Sequence, residues 1–414
     1  MNPCNPQFDV DCTSKKTSTG KAGSMNAKQK SIFLFAGEQS GDLHGQNLLQ
    51  HLQQKLPDYT FSGVGGPLMR PFFTSSVLRM EDFEVMGFSD VLRSLPKLTR
   101  QFYQVRNAIL DTLPEAVILI DYPGFNLRLA KALRKKGYKG KIVQYICPSV
   151  WAWGKGRIEH MANTLDLLLS IVPFEKQLFS HTPLRVEYIG NPLLTSIQSY
   201  SYHQDWMELL GIKPANQLIA LFPGSRKGEI QRNLPIQLKA AQLMKREDRT
   251  FAISCAHPEI IPVMQSILEE TDLKLHQDVF LVPKAYTYEL MKDSHAAIAK
   301  SGTVTLELAL HQRPSTVIYQ LTALNRFIAK YILRLNLPYY SIANILAQKQ
   351  LFPELIATGL TPKNVHAKME DLADPKSNNR QTCIQQCQDL VPFLSQKNNP
   401  CEQATQALLE MLGR

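Results

Sequence analysis

Leu218-Ile-Ala-Leu-Phe-Pro-Gly-Ser-Arg-Lys-Gly-Glu-Ile230 decides how the chain is read. A β-rich apolar run ends at Pro223-Gly224, and the polar residues after it lead into helical spacing through Leu234, Leu238 and Ala241. The stretch is a strand, a tight turn and a helix start. Such a junction presents unpaired backbone N–H groups and the positive end of a helix dipole, so an anion is stabilised there before any side chain helps. Arg226 and Lys227 add positive charge. Alone, the pattern equally suits an ordinary strand-to-helix turn with solvated cations, and its meaning comes from the junctions around it.

Further strands are expected at 250–255, 279–282, 296–299 and 315–319, each followed by a helix-length segment. Upstream the same alternation runs through 31–36, 61–66, 116–120, 141–146, 165–172 and 185–189, with a helix over 43–56 and helical spacing over 81–113 interrupted at Pro96. Ala116-Val-Ile-Leu-Ile120 has the bulk and length of a parallel strand buried on both faces. Alternation of this kind predicts an α/β protein of two similar lobes with parallel sheets, in which ligands sit beyond the carboxyl ends of the strands. The polar stretch 200–213 is expected to hold the boundary. The division is then 1–30 as a disordered extension, 31–199 and 200–360 as the lobes, and 361–414 as a helical tail broken at Pro375 and Pro400.

The 414 residues carry a formal charge of +10, spread along the chain. A diffuse basic excess suits anionic partners in general, and no RNA- or DNA-binding signature accompanies it. No apolar run reaches the roughly 18 residues of a membrane span, and 1–30 lacks the apolar core of a signal peptide. The seven cysteines are scattered without zinc-type pairing, so reduced thiols in a cytosolic protein are expected. The glycine-rich segment Gly63-Val-Gly-Gly66 lacks the dinucleotide spacing, and Asp9-Val-Asp11 lies in the extension, so neither a nicotinamide nor a metal is expected.

The remaining candidates sit at strand ends. Asp121 ends the buried strand 116–120 and reads either as a general base facing the cleft or as an Asx turn opening Tyr122-Pro-Gly124. Glu38 and Asp42 follow the first strand; both suit helix capping, and Glu38 stands with Asp121 and Arg226 among the catalytic candidates. In the second lobe Lys300-Ser-Gly-Thr-Val-Thr-Leu-Glu307 repeats the strand-to-helix junction, with Glu307 two turns in, where a carboxylate reaches ribose hydroxyls. Two such junctions, at Gly224-Ser225-Arg226 and Ser301-Gly302-Thr303, favour a nucleoside diphosphate. Trp151 and Trp153 suit core packing and a ligand-contacting loop equally.

Taken in order, Gly37-Glu-x-Ser-Gly-Asp42, Asp121-x-Pro-x-Phe-Asn126, Pro148-Ser-Val-Trp-Ala-Trp153, Pro173-Phe-Glu175, Pro223-Gly-Ser-Arg226, Ser301-Gly-Thr-x-Thr-Leu-Glu307, and Asn344 with Pro353-Glu354 resemble the lipid-A-disaccharide synthase family. Asn191, Ala343 and Ala357 depart from its pattern. The resemblance implies two Rossmann-like lobes of GT-B architecture and an inverting glycosyltransferase. Its donor would be UDP-2,3-diacylglucosamine, its acceptor 2,3-diacylglucosamine 1-phosphate, and its products a β-1,6 disaccharide and UDP. It also implies Asp121 as base, Gly224, Ser225, Arg226, Ser301, Gly302 and Thr303 around the diphosphate, and Glu307 on ribose. Backbone near Val282 would read uracil, Asn344 would line the donor site, and no cofactor or metal would be needed. Partners would be the two acylated sugars and the anionic cytoplasmic face of the inner membrane, met peripherally, with oligomeric state left open. The apolar and basic residues of 81–100 (Phe83, Val85, Met86, Phe88, Val91, Leu92, Leu95 and Leu98 with Arg93, Lys97 and Arg100) are the expected interfacial segment. A UDP-N-acetylglucosamine 2-epimerase, a polyprenol-linked glycosyltransferase and a non-catalytic UDP-sugar module remain the alternatives.

Overall fold

The computed structural model describes residues 30–83, 88–148, 150, 156–213, 217–320, 338–396 and 399–414, with backbone alone for 88–95 and 358. The expected extension 1–30 falls, but for Lys30, outside the described residues, as do Trp151, Trp153, Val85 and Met86.

The first lobe is built on β1 (Ser31–Ala36), β2 (Thr60–Gly65), β3 (Ser75–Arg79), β4 (Ala116–Ile120), β5 (Lys141–Tyr145), β6 (Leu167–Ser170) and β7 (Arg185–Tyr188). They form one parallel sheet in the order β3-β2-β1-β4-β5-β6-β7. The central strands are continuous apolar runs because each face needs its own cover. Phe33, Phe35, Val117 and Leu119 meet Val105 and Ile109 of the helix Phe88–Thr112 and Leu129 and Leu133 of the helix Pro123–Lys135. Ile32, Leu34, Ile118 and Ile120 point the other way, onto Leu48, Leu49 and Leu52 of the helix Gln39–Lys55.

The second lobe holds β8 (Gln217–Phe222), β9 (Arg249–Cys255), β10 (Val279–Pro283), β11 (Ala296–Lys300), β12 (Ser315–Tyr319) and β13 (Glu354–Ile356), parallel in the order β10-β9-β8-β11-β12-β13. Helices again cover both faces, including Lys227–Leu243 on one and Asn378–Leu394 on the other. In each sheet the order reverses beside the first strand of the lobe, which is where an open parallel sheet forms its ligand crevice. Asp121 and the Ser301 junction both leave strands next to that reversal.

One expectation needs correction, and the helical tail, present as expected, has a further feature. The helix Pro192–Gln198 buries Leu194 and Ile197 in the second lobe's core beside Trp206, Leu218 and Phe222, so the chain crosses between lobes near Gly190 rather than at 200. The tail is also divided: the helices Pro362–Ala373 and Asn378–Leu394 cover the second sheet, whereas Pro400–Met411 returns to the first lobe and packs Ala404, Ala407 and Leu408 against the helix Gln39–Lys55. Polarity marked the boundary in the sequence, but buried area decides it.

Candidate active site

Asp121 stands at the carboxyl end of β4 in a left-handed conformation, φ +48°, followed by Tyr122 at φ +43°. Two consecutive non-glycine residues in this region cost energy and persist only where the surroundings hold them. Here Asp121 donates its N–H to the Tyr145 carbonyl at 2.9 Å. Its own carbonyl accepts from Asn126 Nδ2 at 2.6 Å and Gln144 Nε2 at 3.0 Å, both from fully buried amides. The helix after it opens with Pro123 behind Tyr122, which makes no side-chain cap. Burial raises the Asp121 pKa above the usual carboxylate value, opposed by the Tyr122 N–H.

Glu38 precedes the helix Gln39–Lys55 in extended conformation, and its carboxylate does not cap that helix. It is open to solvent at the rim, yet protein atoms crowd it: burial, then the charge of Asp121, raise its pKa, while Arg226 opposes them. Two first-lobe carboxylates and a second-lobe guanidinium therefore share one electrostatic neighbourhood. Asp42 is different. It is 2% exposed and accepts the N–H groups of Gly66, Leu68 and Met69 at 2.7, 3.0 and 3.2 Å, tying the loop after β2 to the first helix. Its role is architectural.

Across the cleft Gly224 has φ +121°, and a Cβ there would lie 2.4 Å from Glu229 Oε2, so only glycine fits. The Glu229 carboxylate folds back over the turn, taking the Ser225 N–H at 3.2 Å, the Arg226 N–H, and the Lys300 ammonium at 3.0 Å. Burial would raise the Glu229 pKa, but Lys300 and these N–H groups outweigh it and hold the carboxyl below its ordinary value. Arg226 is exposed at the start of the helix Lys227–Leu243. At the second junction the Ser301 hydroxyl donates to the Tyr340 carbonyl at 2.8 Å, while Thr303 stands exposed before the short helix Val304–Leu310.

Glu307 is crowded enough that burial raises its pKa, opposed by a hydrogen bond from Tyr288. Val282 is fully buried in β10, and past it the Ala285 carbonyl accepts from Tyr200 at 3.2 Å. Asn344 is fully buried. Its Nδ2 donates to the Phe352 carbonyl at 2.7 Å and to Glu354 at 2.8 Å, and its Oδ1 accepts from Leu351 and Phe352 N–H at 2.9 and 2.8 Å. Every polar group of that amide is used internally. Glu354 in turn accepts the N–H groups of Tyr340 and Ser341, so the pair braces the loop against which Ser301 rests.

Sequence reasoning missed Gln144, Glu229 and Tyr288. Gln144 had a readable signal, a lone amide in the otherwise apolar centre of Lys141-Ile-Val-Gln-Tyr145. The contacts of Glu229 and Tyr288 depend on residues 71 and 19 positions away, which local pattern cannot supply.

Comparison with known proteins identifies the family of the chain. A family model described as lipid-A-disaccharide synthetase matches residues 32–410. The lipid-A-disaccharide synthase of Chlamydia trachomatis serovar D is 43% identical over 327 residues, covering 79% of this chain and 53% of that protein, so the chain spans about half the length of that relative. The one from Geobacter metallireducens is 32% identical over 360 residues, covering 86% of this chain and 91% of that protein. Among solved structures, the calicheamicin glycosyltransferase CalG4 aligns with TM-score 0.56 and 14% identity over 94% of this chain and 99% of its own, which speaks for the GT-B fold alone. With the family model spanning both lobes and the returning tail helix, the chain belongs to the lipid-A-disaccharide synthetase family.

Proposed function

We propose that the protein transfers 2,3-diacylglucosamine from its UDP conjugate to the 6-hydroxyl of 2,3-diacylglucosamine 1-phosphate, inverting the sugar carbon and releasing UDP. The observation that carries the reading is that Arg226 of one lobe lies near enough to Glu38 of the other to lower its pKa, while Asp121 beside it raises it, in a chain of this family. Asp121 takes the proton of the acceptor hydroxyl as the oxygen attacks. Burial raises its pKa, which makes it a better proton acceptor than an ordinary aspartate. The diphosphate leaves from the opposite face, toward Arg226 and the Gly224-Ser225 and Ser301-Gly302-Thr303 turns, where fixed positive groups stabilise the developing charge. Glu307, held by Tyr288, takes the ribose hydroxyls, and backbone beyond Val282 reads uracil. Asn344 serves the donor indirectly, through the loop it braces.

No helix among the described residues is long and apolar enough to cross a membrane. We assign the protein to the cytoplasmic face of the inner membrane, attached peripherally through 81–100. Phe83 and Leu98 do not belong to that surface, because Phe83 is buried in the first lobe's core and Leu98 packs against it. The side chains of Phe88, Val91, Leu92, Arg93 and Leu95 lie outside the described residues.

Incubating the purified protein with both acylated substrates should yield, by mass spectrometry, the disaccharide 1-phosphate and UDP in equal amounts, with the same yield under a chelator. Conversion of the donor alone to an isomer of the same mass would point to an epimerase, and release of UDP without disaccharide to hydrolysis; either defeats the reading.

A further inference from the structure

We propose that Lys300 is a further catalytic residue, the cation that receives the leaving diphosphate, and that Glu229 is the internal anion occupying its place until the donor binds. The proposal rests on the glycosyl-transfer reading above and adds a residue to its machinery. Lys300 is the last residue of β11 and lies between the two phosphate-type turns. Its side chain folds back over the second of them: a Cβ at Gly302 would stand 3.1 Å from Lys300 Cε and 3.2 Å from Nζ. Toward the first, Nζ is 3.0 Å from Glu229 Oε1. One ammonium thus lies beside the second turn and is bonded to the carboxylate that takes the N–H groups of the first.

What holds it there has the shape of a ligand. The Glu229 carboxylate gathers two backbone N–H groups, of Ser225 and Arg226, and one ammonium, which is the donor set a phosphoryl group recruits at a helix start. Capping the helix Lys227–Leu243 would need only the backbone N–H groups, so the cap does not explain Lys300. The pair is also within reach of an arriving ligand, its side chains being 26% and 18% exposed. A donor phosphate arriving at Ser225 and Arg226 meets a cation already aimed at it, and Glu229 gives way toward solvent. As the bond from the sugar carbon to the β-phosphate oxygen breaks, its electron pair goes to that oxygen. The acceptor oxygen bonds to the carbon, and its proton goes to Asp121. The charge appearing on the diphosphate is met by Lys300 beside Arg226.

The test compares Lys300→Met and Glu229→Gln with the parent protein, measuring affinity for UDP and uridine by calorimetry and turnover with both acylated substrates. Loss of a charge-assisted contact should weaken UDP in Lys300→Met by about 10- to 100-fold, lower kcat by a similar factor, and leave uridine within about twofold. Glu229→Gln releases the ammonium and should bind UDP at least as tightly as the parent. If Glu229→Gln weakens UDP as much as Lys300→Met does, the pair is scaffold and the proposal fails; it fails equally if Lys300→Met binds UDP like the parent. Should Lys300→Met not fold, Glu229→Gln alone decides, since UDP weakened by about tenfold in that variant overturns the placeholder role. A parent that binds UDP but forms no disaccharide defeats the transfer reading while leaving the UDP comparison intact; a parent that binds no UDP defeats both.

Discussion

Asn344 separates a residue that touches the donor from one that holds the wall of its site, and Asn344→Ala tests which it is. The substitution strips the partners from two buried N–H groups, of Leu351 and Phe352, and from the Phe352 carbonyl. Each orphaned buried N–H costs about 1–3 kcal/mol, so the two together cost about 2–6 kcal/mol. For a lobe of this size each kcal/mol lowers the melting temperature by about 2–4 °C, so a fall of roughly 5–20 °C is expected. The assay is thermal unfolding with and without UDP. A ligand at 100 times its Kd adds about 2.7 kcal/mol, so UDP should still raise the melting temperature of the variant by about 5–10 °C. If the variant melts like the parent while the UDP-induced rise disappears, Asn344 contacts the donor and the bracing account is wrong.

Asp121→Asn should lose about 100- to 10,000-fold in kcat while keeping UDP affinity, because the amide matches the carboxylate in size but cannot take a proton. In the parent, kcat should fall as pH drops through the raised Asp121 pKa, since the protonated form is no base; the limb should vanish in Asp121→Asn. The same variant should melt higher at neutral pH. A carboxyl whose pKa is raised by burial is more easily ionised in the unfolded chain, so the fold loses stability as pH rises through that interval, and the amide removes this loss. Arg226→Ala should weaken UDP and slow turnover by about tenfold or more, with Lys227→Ala far milder, because a guanidinium grips phosphate through a fork; equal effects would leave only general charge. Phe88→Ser with Leu92→Ser should reduce binding to anionic vesicles and turnover on membrane-presented substrate more than on detergent-dispersed substrate, and unchanged vesicle binding in a folded variant would move the membrane surface elsewhere.

Which parts of the fold were legible follows from what each element must bury. β4 is apolar at all five positions because helices cover both its faces, and its limits are readable from the sequence alone. The edge strands are not. Ser75-Ser-Val-Leu-Arg79 is largely open to solvent, and Glu354-Leu-Ile356 is three residues long. Edges favour polar or short strands, which resemble loops. The site divides similarly. Asp121, Arg226 and the Ser301 junction announce themselves through position at strand ends, whereas Asp42 reveals its duty only through Gly66, Leu68 and Met69, 24 to 27 residues away. Asn344 is hard to read for the same reason: its bonds to Leu351, Phe352 and Glu354 leave no mark in the local pattern.

The misplaced boundary has a mechanical consequence. The stretch expected to link the lobes is fastened to the helix Thr287–Asp293: the Tyr200 hydroxyl and His203 N–H both bond to the buried Glu289, and Trp206 Nε1 donates to Asp293 at 2.8 Å. Trp206 is 1% exposed, so this segment is part of the second lobe's body and cannot act as a flexible joint. The chain instead crosses at Gly190, φ +86°, and again between the helices Asn378–Leu394 and Pro400–Met411. These crossings lie against each other: a Cβ at Gly190 would stand 3.2 Å from Gln396 and 3.4 Å from Pro400, and the Tyr188 hydroxyl donates to the Leu394 carbonyl at 2.8 Å. Two adjacent crossings define an axis, with Glu38 and Asp121 carried on one side of it and Arg226 on the other. A rotation about that axis would change the separation of Asp121 and Arg226, while the bond from Tyr200 to the Ala285 carbonyl lies wholly within the second lobe.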